Sequence, residues 1–353
     1  MSDKLRSITG MNDILPTDVR QWQKLERVAR QVLESYGFSE IRTPIIEATE
    51  LFCRGIGEGT QVVQKEMYTF DDKGGDSVTM RPEGTASVVR SYIQHSLMAK
   101  DALTKLYYIG PMFRYERPQK GRLRQFHQVG AELIGVDSPL ADAEIVILLD
   151  RMVQKLGIRD YELKVNSLGT VEERKQYLEK LVSFFAATKD QLCTECHERL
   201  EKNPLRIFDC KVHSCRKVCK EAPILLDHLT DESSAEFKKF QECLKQAGVK
   251  YVIDPHIVRG LDYYEKTAFE FTSNQLGSQS AFVGGGRYNK LISELGGKET
   301  PAVGFGMGCE RMIMLMEACE EQKEADLNGV YFVSLNEDGY GVCRGLMQQE
   351  RDA

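Results

Sequence analysis

The most chemically informative part of the sequence is the segment FRYERPQKGRLRQFHQVGAE, which is predicted to form two strands joined by a loop. Alternate side chains of a strand point to the same face of a sheet. Period two therefore predicts that Arg114 and Glu116 share a face of the first strand. Phe126, Gln128 and Glu132 are predicted to share a face of the second. An antiparallel pair of these strands would present a guanidinium, two carboxylates, an amide and an aromatic ring on one surface.

The loop between the two predicted strands is strongly basic. Residues 114–124 include five basic side chains and one acidic side chain, a local charge of +4 in a chain whose net charge is −6. Lys120 and Arg122 lie in the middle of this loop. Such charge density suits a triphosphate or an RNA backbone. A solvated, charged hairpin loop explains the loop by itself equally well, so the polar faces of the strands favour a binding site more strongly than the loop does.

A second segment, PAVGFGMGCER, places Gly304, Gly306 and Gly308 on one face of a predicted strand. Three glycines in a row leave a flat floor on which a planar purine can lie. Arg311 follows at the start of the next predicted helix, where the helix dipole favours a phosphate. Glycines also serve close packing, so this pattern is weak by itself. Its spacing does not match a dinucleotide-binding fingerprint, and the sequence contains no P-loop motif.

Three shorter stretches combine glycines with charged or aromatic side chains. They are VRGLDYY, with Arg259, Tyr263 and Tyr264, then the triple glycine of VGGGRY, and RPEGT, with Glu83, Gly84 and Thr85. The glycines allow a ligand or another part of the backbone to approach closely. A tyrosine-lined edge of the core and a helix cap explain these stretches as well when each is taken alone.

Five of the ten cysteines lie close together in the sequence, as Cys193, Cys196, Cys210, Cys215 and Cys219. Because the chain starts without an export signal, disulfides are not expected. The first four thiols are enough to bind zinc. Their gaps of two, thirteen and four residues do not form a tight zinc signature. Free thiols are therefore the favoured interpretation, and a structural zinc is the less favoured one.

Composition limits the class of protein. With 353 residues, of which 42% are hydrophobic, the chain can bury a large core and contain two or three structural units. A net charge of −6 argues against a polybasic nucleic-acid binder. No apolar run approaches the length needed to span a membrane, and the first residues lack the apolar core of a signal peptide. A cytoplasmic protein that does not contact a membrane is predicted.

The predicted elements form a mainly antiparallel α+β sheet flanked by helices. Strands are predicted for FSEIRTPIIE and for residues 76–82, 105–116, 124–135, 251–258, 267–273, 280–284 and 301–307. Helices are predicted for 18–36 and 141–156, from about Gly84, and from Gly308. Few of these strands have crossover helices between them, which favours antiparallel pairing. A helical, charged, cysteine-containing block interrupts the strands, so we interpret it as an insertion into one sheet.

Taken together, these segments resemble the class II aminoacyl-tRNA synthetases and, among them, the histidyl-tRNA synthetase family. Residues 113–132 resemble motif 2, GFGMGCER resembles motif 3, and the segment ending at Pro44 resembles motif 1, the dimer-interface element. RGLDYY, GGGRY, RPEGT and ERPQKGRLRQFHQ resemble stretches that are specific to the histidine enzyme. The similarity runs from residue 8 to about residue 320 in the expected order.

The resemblance implies a set of site residues. For histidine it implies Glu83, Gly84, Thr85, Arg114, Gln128, Glu132, Arg259, Tyr263 and Tyr264. For ATP it implies Arg114, Glu116, Arg122, Phe126, Gly308 and Arg311. Arg259 and Arg114 would be the catalytic residues, because attack of a carboxylate on the α-phosphate brings two anions together and needs positive charge. No protein-held metal is implied, and Mg²⁺ would enter with ATP.

The resemblance also implies a domain organisation. Residues 1–170 and 249–325 would form the catalytic domain, and residues 171–248 would form a helical insertion domain. Residues 326–353 would be a fragment of the anticodon-binding α/β domain, with a strand at 329–335 and a helix at 338–350. One βα unit cannot cover both faces of such a strand, so we interpret the sequence as ending inside that domain.

The predicted function is ATP-dependent activation of L-histidine to histidyl-adenylate and its transfer to the 3′ end of tRNA(His), by a homodimer. The main alternative is a non-catalytic, histidine-sensing regulatory subunit of ATP phosphoribosyltransferase, which shares the fold. That subunit would not need Arg114, Arg122, Arg259 and Arg311, which therefore favour the enzyme. A third hypothesis, a zinc-dependent nucleic-acid-binding module, rests on the cysteines alone.

Overall fold

The structure is a computed structural model that describes residues 5–208, 210–258, 261, 263–319 and 331–352. The predicted catalytic residue Arg259 lies outside these described residues. The chain divides into two compact units, Met1–Cys319 and Glu320–Ala353. In the part of the chain that is described, no helix is both long enough and apolar enough to cross a bilayer.

The first unit is built on an eight-stranded sheet. Its strands are β1 (Ser39–Glu40), β5 (Thr104–Phe113), β6 (Gln125–Ile134), β7 (Glu162–Ser167), β8 (Val252–Ile253), β9 (Glu265–Thr272), β10 (Ala281–Arg287) and β11 (Ala302–Gly308). Their order in the sheet is β1-β5-β6-β11-β10-β9-β7-β8. The two outermost pairs, β1–β5 and β7–β8, are parallel, and the other neighbours are antiparallel. The predicted fold class, a mainly antiparallel sheet flanked by helices, is confirmed.

A second, three-stranded sheet has the order β2-β4-β3, with β2 at Ile46–Ala48, β3 at Tyr68–Asp71 and β4 at Ser77–Met80. The helices of the first unit are α1 (Val19–Ser35), α2 (Thr49–Ile56), α3 (Thr85–Gln94), α4 (Pro139–Lys155), α5 (Val171–Ala187), α6 (Thr194–Lys202), α7 (His213–Glu221), α8 (Asp231–Gln246), α9 (Leu291–Glu294) and α10 (Cys309–Cys319). The second unit contains α11, Glu337–Asp352.

The main core lies on one face of the large sheet. Val129, Ala131 and Leu133 of β6 alternate along the strand and are buried there, together with Phe305 and Met307 of β11. Apolar faces of α1, α4, α8 and α10 join the same core. Period two therefore sends the residues between them to the opposite face of the sheet. That face is left for a site.

Several predicted boundaries were wrong. The strand predicted for FSEIRTPIIE breaks into β1 and β2 around Pro44, because proline cannot donate a ladder hydrogen bond. The strand predicted for 105–116 ends at Phe113, so Arg114 and Glu116 follow the strand instead of sharing its face. The strand predicted for 251–258 is only Val252–Ile253. Of the strand predicted for 329–335, the described residues 331–335 form no strand.

The helical block lies inside the first unit. Among its described residues, 171–248 form helices and turns and contribute no strand to either sheet. Thr170 begins α5 with a capping box, in which its side chain accepts from the Glu173 backbone N–H and the Glu173 carboxylate accepts from the Thr170 N–H. The block has its own core, formed by apolar side chains of α5 and by buried cysteines of the segments after it. The domain boundaries given above stay a prediction.

Candidate active site

A cavity of about 570 Å³ opens on the face of the large sheet that points away from the main core. Among the predicted site residues, those that line it are Glu83, Thr85, Arg114, Glu116, Arg122, Phe126, Gln128, Tyr263, Tyr264, Gly308 and Arg311. Residues that are up to 228 positions apart in the sequence, from Glu83 to Arg311, therefore meet in one place. Of the described members of the predicted set, Gly84 and Glu132 do not line the cavity.

Strand register places the polar row of β6 beside the glycine row of β11. The antiparallel pairing sets Gln128 opposite Gly308, Gly130 opposite Gly306 and Glu132 opposite Gly304. A Cβ atom on Gly304 would lie 1.8 Å from a carboxylate oxygen of Glu132. Position 304 therefore has no room for a side chain, because the Glu132 carboxylate on the neighbouring strand occupies that space. Gly306 and Gly308 instead line the cavity, as expected for a floor without side chains.

Tyr108 lines the cavity and was not foreseen from the sequence. It lies on β5 directly opposite Gly130. A Cβ atom on Gly130 or on Gly84 would lie 2.2 Å from its ring carbon Cζ, so both glycines are needed to accommodate the ring. The role that the structure gives Gly84 is therefore space for Tyr108. Burial raises the pKa of Tyr108 well above 10, which keeps its hydroxyl neutral.

One end of the cavity is built around the start of α3. The carboxylate of buried Glu83 accepts hydrogen bonds from the backbone N–H groups of Thr85, at 2.7 Å, and Ala86, at 2.8 Å. Glu83 thus satisfies the first turn of the helix and is held in a fixed orientation. Burial raises the pKa of Glu83, and these backbone bonds oppose that effect. A helix cap by Thr85 is the alternative to a site role, but the N-cap position is occupied by Gly84 and Thr85 is the first residue of α3.

The Thr85 hydroxyl instead donates to Glu132, at 2.8 Å. Glu132 is fully buried behind the cavity wall, and its second carboxylate oxygen is bonded by the hydroxyl of Tyr288. Burial raises the pKa of Glu132 to about 8, while hydrogen bonds from Tyr288 and Thr85 act in the opposite direction. The Glu132 carboxyl group therefore binds a proton more readily than an ordinary glutamate.

Three tyrosine rings pack beside these acids. The ring centroids of Tyr263 and Tyr264 are 4.6 Å apart, and those of Tyr263 and Tyr288 are 5.5 Å apart. Tyr263 and Tyr264 line the cavity. Burial raises the pKa of Tyr263 and of Tyr288 well above 10. Neutral phenols at this end can donate and accept hydrogen bonds without adding charge.

The other end of the cavity is rich in arginine. Arg114 donates from Nε to the carbonyl oxygen of Pro82 at 2.8 Å, and its guanidinium carbon lies 5.4 Å from the centre of the Phe126 ring. Arg311 donates from Nε to the carbonyl oxygen of Gly121 at 2.8 Å and from Nη1 to that of Ala281. Burial lowers the pKa of Arg311, but a guanidinium stays charged in proteins.

Arg122 and Glu116 form an ion pair that lines the same end. Arg287, from the GGGRY stretch, is different. It is buried away from the cavity and donates from Nη2 to Asp142 at 2.6 Å and from Nη1 to the carbonyl oxygen of Val136 at 2.9 Å. The functional interest of GGGRY therefore lies in its glycines and in Tyr288, while its arginine is part of a buried ion pair.

Comparison with known proteins agrees with this arrangement. The family model described as Histidyl-tRNA synthetase matches residues 10–312. The histidine–tRNA ligase of Syntrophotalea carbinolica is 51% identical over 333 residues, which are 94% of this chain and 79% of that protein. That of Desulfitobacterium hafniense is 51% identical over 317 residues, 90% of this chain and 75% of that protein. The chain belongs to the histidyl-tRNA synthetase family.

Solved structures of this family extend the likeness to three dimensions. The apo histidyl-tRNA synthetase of S. aureus superposes with a TM-score of 0.78 at 36% identity, and the match covers 99% of this chain and 83% of that one. A Bacillus halodurans protein, titled as an ATP phosphoribosyltransferase regulatory subunit/histidyl-tRNA synthetase, gives a TM-score of 0.66 at 21% identity over 88% of this chain and 83% of that one. At that identity the second match shows only the shared fold.

The cavity of this synthetase-family chain also contains residues that sequence patterns did not indicate. Arg199, Arg206 and Lys211 of the helical block line it, as do the acids Glu66 and Glu270. The three cations lie in a block without any of the family motifs quoted above. Nothing in their spacing connects them to the sheet, so tertiary packing alone brings them to the cavity.

The chemistry available here is positioning and electrostatics. Among its described lining residues, the cavity has no serine, cysteine or histidine that could act as a covalent nucleophile. It offers buried acids and phenols at one end and several guanidinium groups at the other. This suits an ammonium-bearing substrate next to a polyphosphate. The carboxylates of Glu66, Glu270 and Glu310 add oxygens of the type that Mg²⁺ prefers.

Proposed function

We propose that this chain activates L-histidine with ATP to form histidyl-adenylate and transfers the histidyl group to the 3′ end of tRNA(His). One observation carries the proposal. A single cavity joins a buried end with acids and tyrosines to an open end with arginines, in a chain of the histidyl-tRNA synthetase family. The curated relatives that are about half identical over most of the chain are histidine–tRNA ligases.

Histidine would occupy the buried end. Glu83 would bind the α-amino group, assisted by Gln128 and by Thr85, because its carboxylate is fixed by two backbone hydrogen bonds and lines the cavity. Tyr264 and Glu132 would recognise the imidazole nitrogens. Glu132 lies behind the cavity wall and accepts a hydrogen bond from Thr85. It would contact the imidazole after substrate binding has shifted this hydrogen bond, or it would recognise the imidazole indirectly through the Thr85 hydroxyl.

ATP would occupy the arginine end. Phe126 offers one face to adenine beside the floor formed by Gly306 and Gly308. Arg114 would hold the α-phosphate, and Arg311 at the start of α10 would hold the far phosphates. Glu116 and Arg122 would contact the nucleotide as the ion pair that they already form. Mg²⁺ would arrive with ATP and neutralise phosphate charge.

The reaction then needs no protein nucleophile. A carboxylate oxygen of histidine attacks the α-phosphorus, the bond to the β-phosphate oxygen breaks, and pyrophosphate leaves with the bonding electrons. The carboxylate is already ionised, so no base is required for this step. Arg259, assigned by resemblance, and Arg114 would offset the two approaching negative charges. In the second step, a ribose hydroxyl of the tRNA terminus attacks the carbonyl carbon and loses its proton to solvent, while the bond from that carbon to the phosphate oxygen breaks and AMP leaves with the bonding electrons.

The regulatory-subunit alternative shares the fold but is not favoured. A histidine sensor needs the acid and tyrosine end of the cavity and has no use for cations placed for phosphates. Here Arg114 and Arg311 are fixed at the cavity by hydrogen bonds to backbone carbonyl groups, and neither forms an ion pair with a carboxylate among the described residues. Their charges therefore remain available to an anion.

We also propose that the chain works as a homodimer. On and beside the three-stranded sheet, Ile45, Ile46 and Phe70 are between 42% and 47% exposed, which leaves apolar surface on elements that follow the segment resembling motif 1. Sedimentation of this chain at micromolar concentration should show a dimer. A monomer at all concentrations up to that range would contradict this part of the proposal.

The decisive experiment is histidine-dependent exchange between ATP and labelled pyrophosphate. Exchange should require histidine and Mg²⁺ and should not occur when glutamine or tyrosine replaces histidine, because either side chain would displace hydrogen bonds of the buried end without replacing them. Charging of a tRNA(His) transcript tests the second step. A chain that binds histidine but shows no exchange under any condition would support the regulatory alternative.

A further inference from the structure

Four of the five clustered cysteines come together in space. The Sγ atoms of Cys193, Cys196, Cys210 and Cys215 all lie within 4.8 Å of one another. Cys196, Cys210 and Cys215 are buried, and Cys193 is half-buried. Cys219 is also buried nearby, but its Sγ donates to the carbonyl oxygen of Ile207 at 3.5 Å and it is not one of the four. The four that converge are the same four thiols that the sequence offered as possible zinc ligands.

The spacing of these sulfurs matches tetrahedral coordination. A Zn–S bond of about 2.3 Å places the sulfurs of a four-thiolate site about 3.8 Å apart. The distance between the Sγ atoms of Cys193 and Cys210 is 3.8 Å. A cluster of four irons needs its four thiolates spread further apart around the cluster. The geometry therefore fits a single ion better than an iron–sulfur cluster.

Local backbone structure supports the same four residues. Cys193 is the residue before α6, Cys196 lies in the first turn of that helix, and Cys215 lies in the first turn of α7. The backbone N–H of Cys193 donates to Sγ of Cys215 at 3.1 Å. Such a bond favours a thiolate and orients it, which is the usual surrounding of a metal-bound cysteine.

We propose that Cys193, Cys196, Cys210 and Cys215 bind one structural Zn²⁺. All four positions of a tetrahedron are filled by protein sulfur, so the site is closed and leaves no position for a substrate. The ion would join the start of α6 to the start of α7 and to the segment between them. These thiols belong to the small core of the helical block, where a metal adds stability that apolar burial supplies only in part.

The segment that this ion would fix also reaches the cavity. Arg199 lies on α6 and donates from Nη1 to the carbonyl oxygen of Arg206 at 3.0 Å, and both arginines line the cavity together with Lys211. Zinc would thus hold a cationic wall of the site in place. This consequence rests on the proposed function, whereas zinc binding itself does not.

The first test measures metal in the whole chain. The chain, expressed with zinc in the medium and purified under reducing conditions without chelator, should contain about one zinc per molecule. After removal of zinc, titration with Co²⁺ should produce thiolate-to-metal charge-transfer absorption and the visible bands of tetrahedral cobalt, both lost when Zn²⁺ is added back. This measurement needs no variant, so its result does not depend on how a variant folds.

Variants then assign the ligands. Cys210→Ser and Cys215→Ser should each lower zinc content or affinity by about tenfold or more. Cys219→Ser is the matched control, because it removes a buried thiol of the same small core that is outside the set of four. It should keep its zinc. Amide exchange of residues 193–221 should become faster when zinc is removed from the unmodified chain.

Three results would overturn the proposal. The first is an unmodified, reduced chain that contains no zinc and gives no cobalt absorption. The second is loss of metal in Cys219→Ser to the same extent as in Cys210→Ser. The third is mass spectrometry of the chain purified without reductant that shows a Cys193–Cys210 disulfide in most molecules and no metal, which would indicate a redox pair instead of an ion site.

Discussion

At the buried end of the cavity, Glu83 and Glu132 lie among hydrogen-bond donors, whereas at the other end Arg114 and Arg311 are held by backbone carbonyl groups. Hydrogen bonds already engage the acids before a substrate enters. The arginines are fixed in position by neutral carbonyl groups, and within the described part of the chain neither forms an ion pair. Arg287 shows the contrast outside the cavity, because Asp142 neutralises it.

The difference separates two ways of using buried polar groups. A network with all its hydrogen bonds made rejects a side chain that cannot replace those bonds, which gives specificity. Guanidinium groups held by carbonyls keep their charge for phosphates and for the charge that develops during reaction. An arginine that is neutralised by a buried carboxylate has little charge left to offer a ligand, and its removal leaves that carboxylate buried without a partner.

The largest expected effect is on stability and comes from the arginine outside the cavity. Arg287→Leu would leave the carboxylate of Asp142 buried without its main partner. Breaking one side of a buried ion pair costs about 3–5 kcal/mol. Urea unfolding should therefore show a large loss in the free energy of unfolding. If Arg287→Leu and Arg311→Gln cost the same stability, the distinction between the two kinds of arginine does not hold.

Arg114→Gln, in contrast to Arg287→Leu, should lower activity and leave stability nearly unchanged. We expect a loss of about 100- to 1,000-fold in the rate of histidine-dependent pyrophosphate exchange, because the charge facing the α-phosphate is removed. The melting temperature should change little. Arg117→Gln is the matched control, since Arg117 is an exposed arginine of the same loop. If Arg114→Gln catalyses pyrophosphate exchange as fast as Arg117→Gln does, Arg114 has no catalytic role.

A pH series should report on the buried acid. The pKa of Glu132 in the folded chain is about 8, above its ordinary value of 4.5, so the folded state binds the extra proton between these two values. Stability must then fall as pH rises through this window, by up to about 1.4 kcal/mol per pH unit from this group. Glu132→Gln should remove that component of the slope between pH 5 and 8. Identical slopes for the two chains would mean that Glu132 is ionised when folded.

The smallest expected effect comes from the glycine beneath Tyr108. The Cβ atom of Gly130→Ala would lie 2.2 Å from the ring, so the tyrosine must shift, at a cost of about 1–3 kcal/mol. The KM for histidine should rise more than the KM for ATP, because Tyr108 belongs to the buried end. Two double variants test this cause. Gly130→Ala with Tyr108→Phe keeps the aromatic ring and therefore the clash, whereas Gly130→Ala with Tyr108→Ala removes the ring and therefore the clash. Recovery of stability only in the second combination would show that the ring is the cause.

Much of this molecule follows from its sequence. Alternation along β6 places Phe126 and Gln128 on the face opposite to Val129, because strand geometry has a period of two whatever surrounds it. The antiparallel class of the sheet and the helix at residues 19–35 follow from equally local rules. The family motifs lie on these elements, so the cavity-lining residues that they contain could be named in advance.

Other features are decided only when the chain is folded. Tyr108 belongs to the site because strand register places it against Gly130, and Arg287 is neutralised because α4 brings Asp142 to it. Arg199 reaches the cavity, and four of five neighbouring cysteines converge, through packing of the helical block. Each of these contacts joins residues that are far apart in the sequence or that lie on different structural elements. The distance between such residues depends on how whole elements pack against one another. Local periodicity carries no information on that packing.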